Sequence, residues 1–173
     1  MITPAYVREI LPKLVDVQVK IDLVISELEV MTGWLFNSRT NYVEYIYWYP
    51  NVAEHQLSLR PISTVSKVEE QIDGTWVEIG VDDYYMFNQQ LIKKIGYWDY
   101  SLKVTCTGGY TVSTTPEFIK FALRTQIAFL ETRLKEDVLA VSQKSLGQGA
   151  SSVFLDPNMH PRFRECISRY KRY

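Results

Sequence analysis

The stretch from Leu102 to Leu134 constrains the fold more than any other part of the chain. Leu102-Lys103-Val104-Thr105-Cys106 alternates as a strand does and runs into Gly108-Gly109-Tyr110. Two adjacent glycines mark a turn. After a short polar link, Thr111 to Thr115, Pro116-Glu117 opens a helix. Proline suits the first helical position, where its missing N–H is no loss, and Glu117 faces the positive end of the helix dipole. Ile119, Leu123, Ile127, Leu130 and Leu134 then line one helical face, widened by Ala122 and Gln126, with Arg124, Glu131 and Lys135 opposite. The pattern predicts a helix from 116 to about 141. A strand handed straight to a long helix excludes all-α and all-β folds.

Upstream, Thr3 and Pro4 predict a short helix over 3–11, with Thr3 as N-cap. Leu14, Val17, Ile21, Val24, Leu28, Met31 and Leu35 step by three and four, which outruns the alternation of 15–23 and predicts a helix from about Asp16 to Met31 or Trp34 (at most 16–34), its end disturbed by Gly33. From 40 to 110 the chain is rich in aromatic and β-branched residues. Strands are expected over Tyr42–Tyr49, Gln56–Arg60, Thr64–Ile72, Thr75–Ile79, Tyr84–Phe87, Leu91–Ile95 and Tyr100–Cys106. Asp73-Gly74 between two of them predicts a type I′ hairpin. Ser142 to Ser152 is rich in Gly, Ser and Gln and reads as a flexible loop, and a last helix is expected over Pro161–Tyr170. The fold expected is α+β: about three to four helices in a bundle, with an antiparallel β subdomain inserted between the second helix and the long third one. Residues 1–141 form the core and 142–173 a loop and tail.

The composition suits a folded chain, 46% hydrophobic and 23% charged. A net charge of −1 supplies no global field for nucleic acid. No signal peptide or membrane-length apolar run is read. Cys106 and Cys166 stand far apart, outside any CxxC spacing, and read as free thiols of a protein assembled in the cytoplasm.

No catalytic, cofactor or metal site is expected. His55, His160, Cys106 and Cys166 do not pair at metal-ligand spacing. No G-x-S-x-G elbow is present, and two histidines in loop-like segments make a poor supply of bases. Glu69-Glu70, Asp82-Asp83 and Glu136-Asp137 are adjacent pairs whose members point apart on a strand. Gly147-Gln148-Gly149 lacks the Lys-Ser/Thr and the strand–helix setting of a phosphate loop.

Two constellations suit binding. Arg162, Arg164, Arg169, Lys171 and Arg172 face one acid, Glu165, with Phe163, Tyr170 and Tyr173 interleaved. This reads as a solvated terminal helix, or as a tail that docks on an acidic partner or faces DNA. Tyr42, Tyr45, Tyr47, Trp48 and Tyr49 form the other, with Tyr45, Tyr47 and Tyr49 on one face of a strand. It reads as a core-plus-surface strand, a sugar-stacking platform or a subunit interface.

The order of motifs resembles the head–tail adaptor proteins of tailed bacteriophages. Ile2-Thr3-Pro4 opens a short helix, and Glu29-Val30-Met31-Thr32-Gly33 is similar to the E-x-x-T-G close of that family's second helix. Leu57 to Val65 is similar to its L-x-L-x-x-P-V-x-S-V strand, Asp83-Tyr84 to its D-Y strand entry, and Val104 to Glu117 to its V-x-Y-x-x-G-Y…P-x-x junction. Cys106 and Thr107 depart from that pattern, which usually has an aromatic and a small residue there. The resemblance spans about Thr3 to Leu134. It implies a structural, non-enzymatic virion protein at the neck: a ring, commonly a dodecamer, beneath the portal, extending the DNA channel and meeting a head-closure or tail component. It also implies portal docking through Arg162, Phe163, Arg164, Arg169, Tyr170, Lys171, Arg172 and Tyr173. Subunit contacts are expected at Tyr45, Tyr47, Trp48 and Tyr49, with Gly108, Gly109, Tyr110 and Pro116 as the structural turn. Genomic DNA would pass without sequence-specific binding, and no membrane is involved. A head-closure or tail-completion protein and a β-rich carbohydrate-binding module are the alternatives.

Overall fold

The computed structural model describes residues 1–47, 49, 51–140 and 159–171. Trp48, Arg172, Tyr173, the expected helix end at Val141 and the Gly/Ser-rich loop lie outside the described residues. The protein is mixed α+β, with antiparallel sheets and four helices among the described residues. It divides into two units: Met1–Gly33 with Thr114–Tyr173, and Trp34–Ser113.

The first unit is helical. Helix α1 (Pro4–Arg8) is shorter than expected, because the pattern gives out before Pro12; the Thr3 hydroxyl oxygen accepts from Tyr6 N–H at 3.2 Å. Helix α2 (Val17–Thr32) ends on Gly33, whose φ of 73° gives a left-handed cap and whose N–H donates to Glu29 O. It buries Val17, Ile21, Val24, Ile25 and Leu28, while Met31, expected in the stripe, is exposed. The cause is the helical period: a strict seven-residue repeat drifts about 20° per heptad on a straight helix. Helix α3 (Glu117–Ala140) buries Ile119, Ala122, Leu123, Gln126 and Ile127. Pro116 O accepts from Ile119 and Lys120 N–H, which closes the first turn. Helix α4 (Pro161–Tyr170) packs on both α2 and α3 through Phe163, Cys166 and Ile167. The expected tail is thus continuous with the helical unit, since its apolar residues recur at helical spacing and are buried.

The second unit carries seven strands: β1 (Arg39–Ile46), β2 (Glu54–Gln56), β3 (Ile62–Ile72), β4 (Thr75–Glu78), β5 (Tyr84–Phe87), β6 (Gln90–Lys93) and β7 (Leu102–Gly108). They form a four-stranded sheet in the order β1-β7-β3-β4 and a three-stranded sheet in the order β2-β6-β5, every pairing antiparallel. Leu57, Val68, Tyr84, Leu91, Trp98, Leu102 and Val104 form its core. Asp73 and Gly74 have φ of 48° and 80°, the type I′ hairpin the sequence predicts. The strand expected over Gln56–Arg60 is displaced to Glu54–Gln56; Leu57 and Leu59 are buried beyond its end.

Candidate interaction surfaces

The double glycine is squeezed from two sides. Gly109 N–H donates to Pro61 O at 2.7 Å, Tyr110 N–H to Phe36 O at 2.6 Å, and Ser38 N–H to Tyr110 O at 3.2 Å. A Cβ on Gly108 would lie 2.2 Å from Pro61 O, and one on Gly109 2.2 Å from Asn37 O; Gly109 also has φ of +83°. Tyr110 stacks on Phe36 with centroids 6.4 Å apart. The turn of Gly108, Gly109 and Tyr110 is therefore a backbone stitch between the segments entering and leaving the β unit.

The solvent face of the four-stranded sheet is built by alternation. Tyr45 on β1, Lys103 on β7, Glu69 and Lys67 on β3, and Trp76 and Glu78 on β4 share one face. Glu69 takes Lys67 Nζ at 2.8 Å and Lys103 Nζ at 2.9 Å, and Lys67 also reaches Glu78 at 3.6 Å. Lys67, then Lys103, hold the Glu69 carboxyl below the usual range, and Glu69 holds Lys67 above its own. The Tyr45 and Trp76 rings meet over this row at 5.8 Å, and the Lys103 ammonium stands 5.9 Å from the Trp76 ring. Tyr47 and Tyr49 are exposed beyond the end of β1 at Ile46, so strand alternation orders only Tyr45 of that trio. Tyr42, on the other face, has the Arg39 guanidinium 5.2 Å from its ring.

The terminal helix is fixed at its start by a buried amide. Gln126 Oε1 accepts from His160 N–H at 2.7 Å, His160 Nδ1 accepts from Arg162 N–H at 3.2 Å, and Phe129 meets the imidazole edge-on. Burial, and then Arg162, push the His160 pKa below its usual value. Phe163 is fully buried. Expected among the docking residues, it is an anchor of α4 within its own unit, and its ring is not at the surface. Arg162 and Arg169 both pair with Glu165, and Arg169 also stands 4.3 Å from the Phe118 ring. These two arginines and Lys171 are exposed, while Arg164 and Tyr170 are half-buried.

Sequence reasoning missed Gln126 as an anchor and Trp76 as the partner of Tyr45. Alternation from the Asp73-Gly74 turn places Trp76 and Glu78 on one face, so that signal was present. Along α2, Val19, Leu23 and Val30 are exposed and fall within about 40° of one another at 100° per residue. A hollow of ≈350 Å³ in the same unit is lined by Ile10, Leu11, Pro12, Lys13, Leu14 and Val15, with Lys20 paired to Glu131 at its side. Among the described residues no group of three His, Cys, Asp or Glu is placed to hold a metal, and no helix is long and apolar enough to cross a membrane. Cys106 and Cys166 are free and buried, and burial pushes their pKa to about 11 and about 12.

The fold is similar to chains of gene transfer agent (GTA) particles. One, from the neck of an empty GTA particle computed with C6 symmetry, matches with a TM-score of 0.55 and 12% identity over 90% of this chain and 77% of its own. Another, from the neck of a native GTA particle computed with C12 symmetry, gives 0.52 and 14% over 90% and 81%. A third, from the virion of a native GTA particle, gives 0.54 and 13% over 92% and 80%. At such identities the likeness is one of fold. No protein-family model and no curated protein matches the sequence.

Proposed function

We propose that this chain is a structural subunit of a phage-like neck, a head–tail adaptor that joins copies of itself in a ring beneath a portal and catalyses nothing. The observation that carries this reading is the shared fold, over nine-tenths of the chain, with chains of necks computed with C6 and C12 symmetry. A ring requires two different adhesive surfaces on one small body. Open apolar groups on both units suit that requirement: Val19, Leu23 and Val30 on the helical unit, and Tyr45, Tyr47 and Ile95 on the β unit. In this reading the basic residues Arg162, Arg169, Lys171 and Arg172 meet an acidic surface of the portal. DNA passes through a channel that does not grip it, in keeping with a net charge of −1. A head-closure or tail component binds the opposite rim. The carbohydrate-platform alternative has less support, because β1 ends at Ile46 and strand alternation does not align Tyr47 and Tyr49 with Tyr45 as one stacking row.

Mass photometry of the purified chain, alone and with candidate portal protein, tests the proposal. Particles at a fixed multiple of 20.2 kDa are expected. A monomer at every concentration, with portal present or absent, refutes it. Portal docking is tested with the charge reversals Arg162→Glu and Arg169→Glu, because deleting α4 would also remove buried side chains. Unchanged portal affinity in the double variant refutes the docking role.

A further inference from the structure

Among the described residues no strand pairs with either outer strand of the four-stranded sheet, β1 or β4, on its outward side, and the backbone polarity of those edges follows from contacts inside it. Ser66 Oγ donates to Thr105 O and Ser63 Oγ to Thr107 O. Gln71 N–H donates to Ser101 O. Odd-numbered residues of β7 thus turn their backbone polar groups toward β3, and even-numbered ones toward β1. The β1 partners of those even residues are Tyr42, Glu44 and Ile46. Val43 and Tyr45 therefore point N–H and C=O away from the sheet. On the far side, Ile79 N–H donates to Val68 O, and Glu70 and Ile72 pair with Val77 and Thr75. By the same alternation Trp76 and Glu78 point theirs outward from β4.

The edges are complementary. β1 and β4 run in opposite directions, since three antiparallel pairings separate them. Setting β4 beside β1 of a second copy continues the antiparallel order. The outward residues also share a spacing and a face: 76 and 78 on β4, 43 and 45 on β1, all with side chains on the solvent side. We infer that the sheet runs from one subunit into the next, β4 pairing with β1 of the neighbouring copy, Trp76 opposite the next copy's Tyr45 and Glu78 opposite its Val43. Two hydrogen-bonded pairs, each exchanging two bonds, join the copies. Trp76, already against its own Tyr45, gains a second tyrosine on its open side, a favourable cross-strand pair. Val77, on the inner face yet 44% exposed, falls beside Ile46 and Glu44 of the neighbour.

The lack of edge protection points the same way. Long natural edges are blunted by lysine, proline or bulges; β4 is only four residues long, itself a form of protection, so the unguarded edge is β1. From Tyr42 to Ile46, β1 carries none of these: its bulge lies before Tyr42, and its one charge, Glu44, turns its carboxylate to the Ser58 N–H and hydroxyl at 2.9 to 3.0 Å. Among the described residues no other strand covers it. Pairing β1 with another copy's β1 would close after two copies and leave β4 open. The heterologous pairing repeats, and it rests on the ring reading above.

Variants with one added cysteine, Val43→Cys and Glu78→Cys, mixed and treated with a short bismaleimide, test it; the native thiols are buried and stay unlabelled. Covalent dimer is expected only when both variants are present, and the double variant should give a ladder up to the full ring. Tyr45→Pro removes one outward N–H without touching the β1–β7 bonds. It should raise the half-assembly concentration by about tenfold or more with circular dichroism unchanged. Rings that assemble without the 43–78 cross-link overturn this inference and leave the ring reading standing. Cross-linking of Val43→Cys with itself overturns it in favour of a two-fold pair. Absence of rings with and without portal protein removes the ring reading and this inference with it.

Discussion

Three glycines separate two sources of strain that are usually confounded. Gly74 has φ of +80° and open space where a Cβ would stand; Gly108 has no positive φ but would put a Cβ 2.2 Å from Pro61 O; Gly109 has both problems. Gly74→Ala incurs the left-handed penalty of ~1–2 kcal/mol, partly offset by ~0.4–1 kcal/mol from the stiffer unfolded chain, a net of about 1 kcal/mol. Gly108→Ala forces two backbone segments apart. Its neighbours are main-chain atoms, including Ile62 Cα at 2.9 Å, so nothing can swing aside. The loss belongs at the upper end of overpacking, about 3 kcal/mol. Gly109→Ala adds the two, about 4 kcal/mol, against total stabilities of ~5–15 kcal/mol. All four tryptophans, Trp34, Trp48, Trp76 and Trp98, lie in Trp34–Ser113, so their fluorescence during urea unfolding reports the β unit by itself. At a slope of ~1.5 kcal/mol per molar urea, the Gly108→Ala midpoint falls by about 2 M and that of Gly74→Ala by under about 1 M. Equal midpoints for Gly74→Ala and Gly108→Ala would refute the close-approach account of the double glycine.

Phe163→Ala empties a fully buried site and should destabilise the helical unit by ~3–5 kcal/mol, read by circular dichroism at 222 nm, whereas Arg162→Ala, removing an exposed ion pair, should change it by under ~1 kcal/mol. A Phe163→Ala transition at the wild-type midpoint would mean that α4 is not anchored as seen. Burial lowers the His55 pKa, so the unfolded chain binds its proton more readily below about pH 6.5. The His55 contribution to β-unit stability is therefore complete above that pH and declines as pH falls toward the folded value. The tryptophan-detected midpoint should drop between pH 7 and 5.5 and drop less in His55→Gln; equal slopes in the two proteins would remove His55 as the cause. Cys106 and Cys166, with pKa pushed to about 11 and about 12, should resist an aromatic disulfide reagent at pH 7 and react stoichiometrically in urea. Fast labelling of the native protein would contradict their burial.

The helices and hairpins were legible where local rules suffice. Thr3-Pro4, Gly33 and Asp73-Gly74 each carry a cap or turn whose chemistry is contained within a few residues. The β5–β6 hairpin was harder: Asn88 and Gln89 both take positive φ, and glutamine at the second position gives no turn signal. β2 was misplaced because Leu57 and Leu59 alternate like a strand, yet Leu59 only bridges to Leu35 from a neighbouring segment. The basic terminal helix showed its charges openly. Its role as packing did not show, because burial of Phe163, Cys166 and Ile167 depends on α2 and α3, far away in sequence. The charged row on the sheet was hidden for the same reason: Lys67, Glu69 and Lys103 meet only once the register of β3 on β7 is known.

The double glycine also explains how a β unit can sit inside a helical chain without disturbing it. An insertion is tolerated when its two ends lie together. Here the entering segment runs Trp34 to Ser38 and the leaving one Gly108 to Tyr110. Tyr110 N–H reaches Phe36 O and Ser38 N–H reaches Tyr110 O, while Leu35 N–H donates to Ser58 O and Arg60 N–H to Leu35 O. Main chain is thus tied to main chain at the point of insertion. Such bonds form only if the backbones approach to hydrogen-bonding distance, and at 108 and 109 a Cβ would stand in that gap. The glycines are needed because the stitch is made of backbone, and the stitch lets the β unit close on itself before the chain returns to helix at Glu117.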